Sequence, residues 1–118
     1  MGKFRSTERK GFQITFENGL TVSVQWGAGN YCSNYYDRDY RAVIDKESTT
    51  AEAAVWSENC WVNAMDFLTG EFPTEYQGYA EVAGYLSADE IAELLISVKN
   101  YPADKVGDLE KFFKKDGV

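Results

Sequence analysis

The sequence predicts an α+β protein, an antiparallel sheet of about five or six strands with two C-terminal helices packed on one face. Three observations carry this. Apolar residues alternate at period two through much of the first half, and the period changes to that of a helix after Leu86. Strands come first and helices last, with no alternating β and α units, which argues against a parallel doubly wound sheet. At 118 residues the chain has room for one core. Residues 1–10 read as a polar basic N-terminal segment and 11–118 as a single α+β domain.

Gly11 to Trp26 reads as a β-hairpin, with Phe12, Ile14 and Phe16 alternating before Asn18-Gly19 and Leu20, Val22, Val24 and Trp26 after it. A two-residue turn would place the two apolar rows on opposite faces. A three-residue connection, Glu17-Asn18-Gly19, pairs Phe16 with Leu20, Ile14 with Val22 and Phe12 with Val24, so one face is apolar. This predicts a type I turn with Gly19 in the left-handed region as a bulge. Tyr40 to Asp45 and Ala51 to Ser57 read as a third and fourth strand joined by KESTT, and Cys60 to Asn63 as a fifth after the turn Ser57-Glu58-Asn59. Met65 to Tyr76 reads as loop because of Gly70 and Pro73, anchored by Phe67, Leu68 and Phe72. Tyr79 to Tyr85 reads as a short sixth strand.

Ser87 and Glu90 form a capping box that opens a helix to about Lys99. Ile91, Leu94, Leu95 and Val98 make its apolar stripe. Tyr101-Pro102 ends it and starts a second helix, whose apolar face is Val106, Leu109, Phe112 and Phe113.

Composition narrows the function. The chain has no histidine, which removes Ser-His-Asp and Cys-His nucleophile activation and most transition-metal ligation. Two cysteines, Cys32 and Cys60, cannot complete a four-ligand zinc site and are expected to stay reduced. No metal and no cofactor is expected. The net charge is −7, and residues 47–98 hold ten acids and no Lys or Arg. Such a surface repels phosphates, so direct DNA or RNA binding is not expected, whereas proteins that bind nucleic acid would be attracted. No apolar run approaches the ~20 residues of a membrane span. The polar N-terminus does not read as a signal peptide, so a cytoplasmic protein is expected.

Trp26 to Tyr40, WGAGNYCSNYYDRDY, breaks the alternation and concentrates tyrosine, glycine and asparagine. Tyr31, Asn34, Tyr35, Tyr36, Asp37, Arg38 and Arg41 are the candidate binding residues. Consecutive rings in a non-periodic segment cannot all face one core, and Tyr and Arg are enriched where proteins meet. The same rings, with Asn34, Arg38 and Arg41, could instead stack on and hold a nucleotide. Gly27-Ala28-Gly29 lacks the following helix and Lys of a phosphate cradle.

From Gly11 to Asn34, GFQITFENGLTVSVQWGAGNYCSN, the chain resembles a family of small uncharacterised proteins of phages and bacterial prophages, in which an NG-x-TVSVQWG hairpin runs into a GNYCSN loop. The later AEAAVW and SADEIAELL are similar as well. The resemblance implies a context, not an activity, and no catalytic residue is carried over. Small acidic phage accessory proteins often inhibit bacterial immunity, as anti-CRISPR proteins do, or sequester nucleotide signals. The expected function is therefore non-enzymatic: binding and inhibiting a host protein, such as a nucleic-acid-handling immune effector. A sponge for a nucleotide signal and a small cysteine or carboxylate enzyme are the alternatives, and a homo-oligomer is compatible with any of them.

Overall fold

The computed structural model describes residues 2–7, 10–26, 47–58, 60–70 and 82–109. Among these residues six strands form one antiparallel sheet: β1 (Lys3–Ser6), β2 (Gly11–Thr15), β3 (Thr21–Gln25), β4 (Ala51–Trp56), β5 (Trp61–Val62) and β6 (Ala83–Leu86). The order is β1-β2-β3-β4-β5, with β6 also on β4. The helices are α1 (Ala64–Thr69) and α2 (Ala88–Asn100), after which one 3-10 turn, Ala103–Lys105, leads into helical residues 106–109. The α+β reading holds.

The β2–β3 hairpin has the expected register, Phe12 opposite Val24 and Ile14 opposite Val22. Gly19 N–H donates to the Phe16 carbonyl at 3.0 Å and Phe16 N–H to the Leu20 carbonyl at 2.9 Å, closing a three-residue connection. Gly19 lies at φ 91°, where a side chain would be strained. Gly11 is required for a different reason: a Cβ there would collide with the Val24 carbonyl oxygen.

Directly paired residues share a face, so the β3–β4 register sets Val22 on Val55 and Val24 on Ala53. These join Leu20, Ala51, Val62, Ala83 and Leu86 in one buried layer. Helix α2 packs on that layer across β3, β4 and β6 and against α1. Its Leu94 and Val98 are fully buried, each contributing about 1.5–3 kcal/mol. The capping box is present in full: Ser87 Oγ accepts from Glu90 N–H at 3.1 Å, and Glu90 Oε1 accepts from Ser87 N–H at 2.9 Å. Val106 and Leu109, from the expected second helix, are buried in the same core.

The fold adds to or departs from the sequence reading in four places. Residues Lys3–Ser6, within the basic N-terminal segment, form edge strand β1 against β2. Residues 64–69, read as loop, are helical, and Gly70 is not a breaker within a loop but the helix stop. It sits at φ 75° and donates to the Asp66 carbonyl at 2.9 Å. A helix of six residues is too short for its period to show. Phe67 and Leu68 do anchor it to the core. The reverse face of the sheet, opposite the apolar one, is also buried at its centre, at Thr21, Ser23 and Ala54. Hydroxyl bonds make that tolerable: Thr15 Oγ1 to Thr21 Oγ1 at 2.8 Å, and Gln25 Nε2 to Ser23 Oγ at 3.0 Å. Finally, β4 pairs with β3 on one side and with β5 and β6 on the other. Tyr40 to Asp45, read as its hairpin partner, lies outside the described residues, as do Phe72, Phe112 and Phe113.

Strand β6 carries a bulge. Ala51 faces Leu86 and Ala53 faces Ala83, so three positions on β4 oppose four on β6. The extra residue returns both Ala83 and Leu86 to the core and turns Tyr85 outward. Tyr85 takes φ 56°, the left-handed region, at a cost of roughly 1–2 kcal/mol. Replacing Tyr85 with Gly should therefore raise stability by about 0.5–1 kcal/mol in urea denaturation, since the ring is exposed and little packing is lost.

Asn18 in the hairpin turn reaches the far end of α2. Its Nδ2 donates to the Val98 carbonyl at 2.8 Å and the Tyr101 carbonyl at 2.9 Å, while its Oδ1 accepts from Leu20 N–H at 2.9 Å. Asn18→Ala should cost about 2–3 kcal/mol, roughly 1 kcal/mol per bond. Asn18→Asp should recover little of this in the same melts, because a carboxylate cannot donate to the two carbonyls.

Candidate functional site

All seven candidate binding residues, Tyr31, Asn34, Tyr35, Tyr36, Asp37, Arg38 and Arg41, lie outside the described residues, as does Cys32. The structure describes instead the two roots of that segment. Trp26 ends β3 with its N–H on the Lys10 carbonyl at 2.8 Å, so it continues the ladder by one residue before the chain leaves. Glu47 marks the return, four residues before β4.

Both roots line one open cavity of about 760 Å³. Phe12, Val24 and Trp26 give it an apolar floor at the end of the sheet, and Leu86 and Ile91 form the wall where β6 meets α2. The segment Glu47 to Ala51 makes the opposite side. Ser48 Oγ donates to the Thr50 carbonyl at 2.7 Å, which bends that segment before it enters β4. The size suits a drug-sized molecule or a large side chain. Sequence reasoning reads Phe12, Val24 and Ile91 as core and KESTT as a hairpin loop. A cavity formed where three separate segments converge leaves no local signal in the chain.

Among the described residues the charges at the groove are all negative. Glu47 is exposed on the rim, and Asp89 and Glu90 are exposed in the first turn of α2, next to the lining residue Ala88. Among the described lining residues there is no Lys or Arg. The amino end of α2 is already committed to its capping box and faces its own acids, so it offers an anion little. The groove is suited to an apolar group flanked by positive charge.

Cys60 sits in the turn between β4 and β5, in no disulfide. Its N–H donates to Ser57 Oγ at 3.2 Å, its carbonyl accepts from Ser57 N–H at 2.8 Å, and it packs against the core. On the reverse face the rings of Trp56 and Trp61 lie 4.9 Å apart, tilted by 52°. Among the described residues no group of three or more His, Cys, Asp or Glu could hold a metal ion, and no helix is long and apolar enough to cross a membrane.

Among the described residues two groups titrate away from their ordinary values. Burial raises the Tyr101 phenol, helped by the charge of Asp108, and Tyr101 meets Phe67 edge-on at 5.6 Å. Burial also raises the carboxyl of Asp66 in α1. The folded state then binds the Asp66 proton more tightly than the unfolded chain, so stability falls as pH rises from the ordinary value of 3.8 through the raised one. Asp66→Asn should remove that decline. In urea melts the variant should exceed the parent at pH 7, and the gap should close below the ordinary carboxylate value.

Comparison of the chain with protein-family models, with curated proteins and with solved structures gives no match.

Proposed function

We propose that this chain is a non-enzymatic accessory protein of phage type that acts in the bacterial cytoplasm by binding a host protein and blocking it. The target class is a nucleic-acid-handling immune effector. The observation that carries this reading is the apolar groove at the two roots of the tyrosine-rich segment, with acids on and beside its rim. Proteins that handle nucleic acid present Lys and Arg around their channels. Exposed Glu47, Asp89, Glu90 and Glu93 attract such a surface and speed encounter. The groove would bury an aromatic or aliphatic anchor from the partner, the kind of contact that dominates an interface. Tyr31 to Arg41 would supply further rings and a guanidinium beside it. The same acids weigh against a nucleotide sponge, since phosphates entering the groove would meet negative charge.

Replacing Tyr35, Tyr36 and Arg38 together with Ala tests the reading. The variant should melt within a few degrees of the parent. It should lose the protein that the parent co-purifies from a bacterial host, identified by mass spectrometry. A variant that unfolds would make the segment structural. A nucleotide released from the parent and absent from the variant would replace the inhibitor reading with the sponge.

A further inference from the structure

The end of the sheet carries a second surface, separate from the groove. Strand β1 is terminal and pairs with β2 alone among the described strands. All four of its residues are exposed, Phe4 to 79%. The ladder shows which main-chain groups are committed. Thr7 N–H donates to the Gly11 carbonyl at 3.2 Å, in the same register that sets Lys3 opposite Thr15 and Arg5 opposite Gln13. Bonded and non-bonded pairs alternate in an antiparallel ladder. Lys3 and Arg5 therefore direct their N–H and C=O groups to β2, and Phe4 and Ser6 direct theirs to the open edge.

Side chains follow their own alternation. Phe4 shares a face with Ile14, and Lys3 and Arg5 stand on the reverse face with Thr15 and Gln13. Neither cation has an ion-pair partner among the described residues. Lys3 and Arg5 are the only charged residues of the strand itself, and Glu17 and Glu58 line the reverse-face hollow they share without pairing with them. The geometry points to β1 as a docking edge for an extended acidic segment of a partner protein, with carboxylates alternating with apolar residues. The segment adds a strand through the main chain of Phe4 and Ser6. Its carboxylates meet Lys3 and Arg5, and its apolar side chains lie against Phe4.

A second copy of this chain fits the edge less well. Pairing β1 with itself about Phe4 sets Lys3 opposite Arg5 twice, like charge on like charge. Shifting the axis by one residue, to Arg5, sets that cation opposite its own copy, so the repulsion remains. The cations therefore work against self-pairing while attracting an acidic strand.

The test uses the full chain and two labelled peptides, one alternating valine with glutamate and one alternating valine with lysine. The acidic peptide should bind at least about ten-fold more tightly in fluorescence anisotropy, with a preference that weakens as salt is added. On binding, the amide protons of Phe4 and Ser6 should gain protection from exchange. Lys3→Glu combined with Arg5→Glu should reverse the preference. Ser6→Pro removes an outward-facing N–H without touching the β2 ladder, and it should weaken binding while circular dichroism stays unchanged. The inference falls if the acidic peptide does not bind, if both peptides bind equally, or if protection appears at other amides. It also falls if sedimentation shows a dimer that Ser6→Pro dissolves. The triple Ala variant of Tyr35, Tyr36 and Arg38 should bind the peptide as the parent does, so failure of the groove and failure of the edge are distinguishable.

Discussion

One side chain ties the far end of α2 to the sheet. Asn18 lies in a hairpin turn, yet both its amide hydrogens are committed to carbonyls 80 and 83 residues away. The last carbonyls of a helix lack the usual partner four residues on; here that of Val98, which also accepts from Tyr101 N–H, and that of Tyr101 are met by the turn of the sheet on which the helix lies. The same side chain accepts from Leu20 N–H and so holds its own turn in shape. The capping box fixes where α2 begins, and Asn18 fixes where its far end sits over the sheet. Between these points Leu94 and Val98 are held against the core.

The centre of the sheet shows a second constraint. Strand β4 is the longest of the described strands, and its second edge is divided, with Val55 and Trp56 paired to β5 and Ala51 and Ala53 paired to β6. The β6 pairing is irregular between Ala51 and Ala53, with one more residue on β6 than on β4. The mismatch is absorbed at Tyr85, whose unfavourable backbone conformation keeps Ala83 and Leu86 both inward. Local strain of this kind persists because the surrounding packing determines the position more strongly than the residue's own preference does.

How much of this was legible depends on distance along the chain. The β2–β3 register could be argued from alternation and turn length alone, and the start of α2 from Ser87 and Glu90, because each signal is complete within a few residues. Helix α1 was not legible, since Ala64 to Thr69 spans less than two turns. Strand β6 was legible as a strand but not in its bounds, because the bulge breaks the period of two that reveals strands. Asn18 announces its turn but not its helix, since nothing in Asn18-Gly19 points to Val98. The groove is illegible for the same reason: Trp26, Glu47 and Ile91 come together only when the sheet and α2 are assembled. The tyrosine cluster could be seen from composition, and its two roots prove to share one cavity.

The pairing of β3 with β4 has a further consequence for how this protein can diversify. Gln25 and Glu52 are direct cross-strand partners, so both ends of the intervening segment are clamped by the sheet itself and not by the segment's own sequence. Closing a chain between fixed points costs free energy that grows only with the logarithm of its length, about 0.6 kcal/mol for each doubling. Insertions, deletions and wholesale replacement between the clamps are therefore cheap for the scaffold. Recognition chemistry placed there can drift quickly under selection while the core beneath it stays the same.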